Sequence, residues 1–460
     1  MLVVAERWSA LDSAWLKSAI VGLLVAYPAL TLIVPGAVNT AIFLLFLMSL
    51  GLLLSPRLLH AFKGVNRHQT LIARVYLKDP LDQSKAILFS LSMIGLPAAV
   101  FVSQWANHRW GWPYYDAVSR FLIAIPIFFA LRRFDPALLI NIRRGFLIGA
   151  FVAAGYVIFD PQIWGADKGI VRIGTSFVNP IHFGDIALSL GIIPLFGIII
   201  QEKKSTAKPW LHLSLALLAT AAGLYASILS GSRGGWVSIP VLLIVAYLIN
   251  RKKIPALAAL VVFIVISVVF YIGYEKIPEI RQRINLIHNN IHAFDQGNEN
   301  TSIGIRFQLW RVALMIFIDH PIFGIGMGGF KELMNSLQQA GYLTPLAADF
   351  GRQEVHSEIL SRLSQLGVIG FIAIMSVYIV PGWMFWAQLN APMPASRSAA
   401  RMGLAFVIGF FIYGLTVETF DLTMTAAFYA LTIAVLMAVA YPATKMKNTN
   451  EIQHPDSVME

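Results

Sequence analysis

The chain of 460 residues has no cysteine. This excludes disulfides, thiolate metal sites and a cysteine nucleophile, so any part facing an oxidising compartment is held by packing alone. Charge is scarce as well. Charged residues make up 13% and hydrophobic ones 57%, whereas soluble domains carry roughly 25% charged residues, and the mean hydropathy is +0.69. A soluble globular protein is excluded. Because the apolar residues come in blocks of about 18 to 22, a disordered or fibrous chain is excluded too. D-x-D, P-loop, H-E-x-x-H and G-x-S-x-G motifs are all missing. The usual paired-carboxylate site for a divalent ion on a nucleotide-sugar diphosphate is therefore absent, and neither a metal nor a cofactor is expected. Met1 to Asp12 lacks a basic region followed by a short apolar core and cleavage site, so no removable signal peptide is expected.

What the sequence does hold is membrane spans, each needing about 20 mostly apolar residues to cross about 30 Å of hydrocarbon. Twelve stretches qualify: 14–34, 37–54, 85–104, 117–131, 145–160, 183–200, 210–230, 234–250, 254–273, 366–388, 400–417 and 423–441. With the N-terminus inside, 22 of the 35 Lys and Arg residues fall in cytoplasmic segments and only five in short outer loops. The remaining eight lie in one long outer loop, which the positive-inside rule does not govern. On this reading the formal charge of +11 sets orientation, and nucleic acid is not the partner. The expectation is an all-α polytopic membrane protein of about 12 transmembrane helices, with both termini cytoplasmic. It divides into an N-terminal bundle of nine spans (1–273), a long, partly helical periplasmic loop (274–365), three C-terminal spans (366–441) and a cytoplasmic tail (442–460). Ser55 to Gln83, basic and partly amphipathic, reads either as a surface segment on anionic headgroups or as a solvated connector.

Against that charge bias, three outer arginines sit in local patterns. Arg172 lies in Val171 to Pro180, on the loop into the sixth span. Arg233 lies in Ser230-Gly231-Ser232-Arg233-Gly234-Gly235-Trp236, the turn between the seventh and eighth spans. Its glycines permit a sharp bend and close approach of a ligand, exposed amides favour an anion, and the arginine adds a fork for phosphate. The plainer alternative is an arginine snorkelling to headgroups beside Trp236. Arg306 opens a helix whose apolar face is Leu309, Val312, Ala313, Ile316 and Phe317, ending at His320-Pro321.

Gly324 to Gly329 matches G-x-G-x-x-G formally, but no βαβ unit surrounds it, so a glycine turn at the membrane surface is expected instead of a dinucleotide site. Gln353 to Leu366 is helical in pattern. Helical spacing puts Glu354, Glu358 and Arg362 on one face, with Glu358 and Arg362 as an i,i+4 pair, and points His356 about 200° away from the carboxylates. A metal site on that helix is therefore not expected. His356 is either a packing residue or a base facing a cavity. No ionisable residue lies at the middle of a span, and Asp185, Glu418 and Asp421 are near outer ends, which argues against an ion-coupled transporter.

The ordered set Gly231-Ser232-Arg233-Gly234-Gly235, then Arg306 with His320-Pro321-Ile322-Phe323-Gly324-Ile325-Gly326, then His356-Ser357-Glu358 resembles the O-antigen ligase and polymerase family of bacterial membrane proteins. The resemblance covers roughly the second half of the chain. It implies a fold similar to the membrane glycosyltransferase (GT-C-like) class, in the bacterial inner membrane with a periplasmic active site. The implied activity, within lipopolysaccharide assembly, is metal-independent, inverting transfer of O-antigen from undecaprenyl diphosphate to a sugar hydroxyl of lipid A-core. Carried over residue by residue, it makes His356, Arg233 and Arg306 catalytic and Arg233, Arg306 and Arg172 diphosphate-binding. An O-antigen polymerase using the same donor, or a transporter or flippase of lipid-linked glycans, stays open as an alternative.

Overall fold

The structure, a computed structural model, describes residues 14–53, 83–164, 172–198, 209–251, 255–276 and 278–443. The expected surface segment 55–83, but for its last residue, and both expected cytoplasmic ends lie outside the described residues. A helix coincides with each of the twelve apolar stretches. They are α1 (Ala14–Leu30), α2 (Ala37–Leu53), α3 (Gln83–Ala106), α4 (Tyr114–Leu131), α5 (Ile142–Phe159), α6 (Pro180–Phe196), α7 (Pro209–Ser230), α8 (Ser238–Asn250) and α9 (Ala256–Lys276). Between α9 and the last three helices the chain forms α10 (Pro278–Asp295), α11 (Ser302–Asp319), α12 (Gly329–Gln339) and α13 (Pro345–Gly351). It then continues as α14 (Glu358–Ala387), α15 (Pro394–Gly414) and α16 (Thr423–Ala440). By length and composition, eight helices among the described residues could cross a membrane, while α1, α2 and α6 are shorter apolar helices. The all-α expectation misses one feature, a two-stranded antiparallel hairpin of β1 (Gln162–Trp164) and β2 (Arg172–Gly174), in which Trp164 pairs with Arg172.

At the centre stands α16, apolar all round and buried from Thr425 to Ala440, as a helix without a polar face must be. It packs against α4, α15 and α2. Phe121, Phe410 and Phe420 surround Tyr429 in tilted contacts, and Phe406 stacks on it. Two polar pairs are made inside this body: Tyr27 with Thr432 at 3.0 Å, and Tyr429 donating to the Val377 carbonyl at 2.8 Å. In hydrocarbon an unpaired group would cost several kcal/mol.

The segment between α9 and α14 has its own smaller core. Ile305, Leu309, Val312, Ala313 and Ile316 of α11 close on Phe330 and Met334 of α12, Ala347 and Ala348 of α13, and Val355. Thr301 caps α11 by accepting from Gly304 N at 3.0 Å. The expected helix from Arg306 to His320 is thus α11, begun four residues earlier.

Long helix α14 breaks at Gly367, whose φ of 67° and ψ of −157° are open to glycine and not to a side chain. A Cβ there would meet the Ile322 carbonyl oxygen at 2.3 Å. The backbone groups released by the break are taken up by the 321–326 turn: Ile325 N donates to Ser364 O, Gly326 N to Gln365 O, and Val368 N to Pro321 O. The Gly324 to Gly329 pattern is therefore a backbone clasp on a broken helix, the arrangement that membrane-level irregular backbone requires.

Candidate functional site

The turn after α7 carries Arg233 and meets Arg172. Gly231 takes a φ of 69°, and the chain then makes one helical turn over Arg233–Trp236. A Cβ on Gly235 would lie 2.3 Å from Asp185 Oδ1, so the second glycine of the pair permits the close contact. Ser232 Oγ donates to that same carboxylate oxygen at 2.6 Å, fixing the turn to α6. From the β-hairpin, Arg172 donates Nε to Ser230 O at 3.2 Å and Nη2 to Gly231 O at 3.3 Å. It braces the carbonyl end of α7, where a cation also meets the negative end of the helix dipole.

Arg233 and Arg306 converge on one hydroxyl. Arg233 Nη2 donates to Ser302 Oγ at 3.0 Å, and Arg306 Nη1 donates to Ser302 Oγ at 3.3 Å and to Ser302 O at 2.9 Å. Arg306 Nε is buried without a hydrogen-bond partner. Burial lowers the Arg306 pKa, and the Glu354 carboxylate opposes that shift. Two unit charges roughly 6 Å apart repel by roughly 3 kcal/mol at an effective dielectric of about 20. An anion bound between them would relieve that repulsion, and the unmatched Nε is a donor it could use.

His356 lies in the stretch that precedes α14, where the sequence pattern predicts helix. The helix starts only at Glu358, with Ser357 as its N-cap, and His356 has a φ of 59°. That left-handed conformation costs roughly 1–2 kcal/mol outside glycine and turns the chain so that Glu354 and His356 meet. His356 Nδ1 is 2.7 Å from Glu354 Oε1, a close contact outside hydrogen-bond geometry, so Nδ1 lacks a linear hydrogen bond. The helical separation of these two side chains is corrected accordingly. The ring is buried, lies 6.0 Å from Phe350, and is steadied through its own carbonyl by Trp310 Nε1 at 3.2 Å.

Behind the imidazole lies a knot of carboxyl groups. Glu354 Oε2 accepts from Glu418 N at 3.2 Å, and Glu418 accepts from Val355 N at 2.5 Å and from Ser361 Oγ at 2.9 Å. Burial raises the Glu354 pKa, but His356, His182 and the Glu418 amide outweigh it and hold the group below its ordinary value. Glu418 goes the other way, pushed well up by burial and by Asp421. The expected Glu358 and Arg362 pair is present at 2.7 Å, fully buried, with Asp421 at 3.1 Å on the other side of the guanidinium.

Three contributors escape the sequence reading. Ser302 is one more serine at a helix start. Glu354 is set aside there by the assumed helix. His182 accompanies a recognisable cap, in which Asn179 accepts from the amides of Ile181 and His182 at 3.0 Å each, but its ring reaches the Glu418 carbonyl at 3.1 Å, 236 residues away. Only the Asn179-Pro180 helix start is visible as a local signal.

Comparison with known proteins gives the following similarities. An uncharacterized protein of Haemophilus influenzae is 28% identical over 310 residues, covering 65% of this chain and 72% of that one. An O-antigen ligase of Escherichia coli is 25% identical over 231 residues, covering 50% of this chain and 52% of that protein, about half its length. The family model described as O-Antigen ligase matches residues 215–375. The segment that holds Arg233, Arg306 and His356 thus matches the O-Antigen ligase family, the family whose ordered motifs the sequence resembles.

Proposed function

We propose that the protein is a glycosyltransferase of the inner membrane that moves O-antigen from undecaprenyl diphosphate to a sugar hydroxyl of lipid A-core at the periplasmic face. The observation that carries this reading is the convergence of Arg233 and Arg306 on Ser302. Breaking the bond from the anomeric carbon to the diphosphate oxygen places negative charge on the leaving group, which a metal or fixed cations must stabilise. With no D-x-D in the sequence, the two arginines serve as those cations.

In the reaction the acceptor hydroxyl oxygen attacks the anomeric carbon as the carbon to diphosphate bond breaks. The bonding pair leaves on the diphosphate, held by Arg233 and Arg306. The hydroxyl proton passes to the His356 imidazole, whose other nitrogen faces Glu354, and the resulting imidazolium is stabilised by that carboxylate. A single displacement of this kind inverts the anomeric centre. Arg172 holds the turn that carries Arg233 and adds positive potential for the diphosphate.

The test is a gel assay of purified protein with undecaprenyl-diphosphate-linked glycan and lipid A-core in excess chelator. A glycan-shifted acceptor is the expected result. A lengthened donor with unchanged acceptor would make the protein a polymerase. Donor binding with no bond formed would make it a carrier.

A further inference from the structure

A cavity of about 640 Å³ adjoins this site, bounded by the start of α4, by α12, and by the 351–355 and 418–421 segments. Its volume falls within the range of pockets that take small ligands, about 300 to 1,000 Å³. Its chemistry differs from the arginine pair's, because acidic, basic, amide and apolar side chains share the lining. Glu332, Glu354, Glu418 and Asp421 line it. Its basic residues are Lys331, Arg352, engaged by Asp349 and Asn335, and Arg362, engaged by Glu358 and Asp421. Val118, Met327, Phe330 and Phe420 add apolar wall beside these polar groups, so the cavity suits neither a bare anion nor a wholly apolar chain.

The ligand these walls suit carries many hydroxyl groups and no large charge. Asn335 and Gln353 present side-chain amides to the cavity from exposed positions, each able to donate and accept. Tyr114 adds an aromatic ring whose hydroxyl end lies against Gly328, leaving no room for a Cβ there. Amides and carboxylates for hydroxyl groups, with an aromatic surface for the ring's apolar face, are complementary to a pyranose.

Position argues the same way. Glu354 belongs to both compartments: it lines the cavity, touches His356 at 2.7 Å and acts on Arg306. In a single displacement, nucleophile and leaving group stand on opposite sides of the anomeric carbon. The acceptor must therefore arrive from a compartment other than the one holding the diphosphate, and within reach of His356.

We propose that this cavity is the seat of the acceptor glycan, a sugar-binding subsite in which Asn335, Gln353 and Tyr114 hold the acceptor so that one hydroxyl meets His356. The proposal rests on the transferase reading above and adds to it where the acceptor binds and by which side chains.

The experiment uses the full chain in lipid nanodiscs and has two arms. In the first, deacylated core oligosaccharide of lipopolysaccharide is titrated into the wild type and into Asn335→Ala and Gln353→Ala, with binding read calorimetrically. Each variant should weaken binding about tenfold, one hydrogen bond's worth. No binding by the wild type, or equal binding by all three, overturns the subsite. In the second arm, acceptor KM and donor KM are measured on the same proteins. A rise of about tenfold in acceptor KM relative to donor KM is expected; a rise in donor KM instead would assign the cavity to the donor and overturn the proposal. If the wild type binds the oligosaccharide, the variants do not, and no bond is formed in any of them, the sugar subsite stands and the transferase reading falls.

Discussion

Arg362 and the Arg233 and Arg306 pair sit close to one another in the fold and hold their charges in contrasting ways. Arg362 is completely buried and flanked by two carboxylates, Glu358 at 2.7 Å and Asp421 at 3.1 Å. Arg233 and Arg306 instead share a neutral serine oxygen, and Arg306 keeps a buried nitrogen unmatched. A buried charge with its counter-charges in place holds structure together, and removing one partner is costly because the others are stranded. On the proposed function, this second pair receives the diphosphate, and the difference separates arginines that build the site from arginines proposed to act in it.

The contrast can be broken most forcefully at Arg362. Arg362→Ala strands Glu358 and Asp421 and should destabilise the protein by about 3–5 kcal/mol, seen as a large fall in thermal stability in detergent or as loss of folded protein. Retention of full stability would erase the distinction. Next come Arg306→Ala and Arg233→Ala, which should leave thermal stability nearly intact while lowering turnover by on the order of 10²-fold or more. Near-wild-type turnover in both would remove the proposed role of the pair.

Glu354→Gln tests the hinge between the two groups. The native-state pKa of Glu354 is below its ordinary value of 4.5, so its contribution to stability is fully present above that pH and is lost as pH falls through the native value. The stability gap between wild type and Glu354→Gln should be about 1.5 kcal/mol at neutral pH, a charge-assisted hydrogen bond's worth, and should close on acidification below about pH 4.5. A gap that widens there would contradict the contact with His356. Smallest is Arg172→Ala. Because Arg172 Nε and Nη2 donate to the carbonyls of Ser230 and Gly231, stability should fall by about 1 kcal/mol. Thermal unfolding measures that brace, and a loss of turnover as large as that of Arg306→Ala would place Arg172 among the acting arginines instead.

Much of the helical layout is legible along the chain. Each of the twelve apolar stretches falls on a helix, because in hydrocarbon the backbone must satisfy itself locally and composition alone marks where. The pairing of Glu358 with Arg362 is legible for a similar reason, being a matter of helical spacing. Besides the β-hairpin, the misreading lies at 353–357. There the i,i+4 pattern of Glu354 and Glu358 suggests continued helix, but Val355 N is held by Glu418 from across the fold at 2.5 Å and His356 turns to a positive φ. A local propensity of a few tenths of a kcal/mol per residue cannot hold against a buried hydrogen bond of that kind.

The sequence by itself determined the membrane character, the positions of the apolar helices and the candidates Arg172, Arg233, Arg306 and His356, since each is written in composition or in a short pattern. Only the tertiary structure decided that Arg233 and Arg306 meet on Ser302, that Glu354 faces His356, and that His182 joins them through Glu418. Those partners are separated by up to 236 residues, and contacts over such distances come from how helices pack and where α14 breaks, which no local pattern encodes.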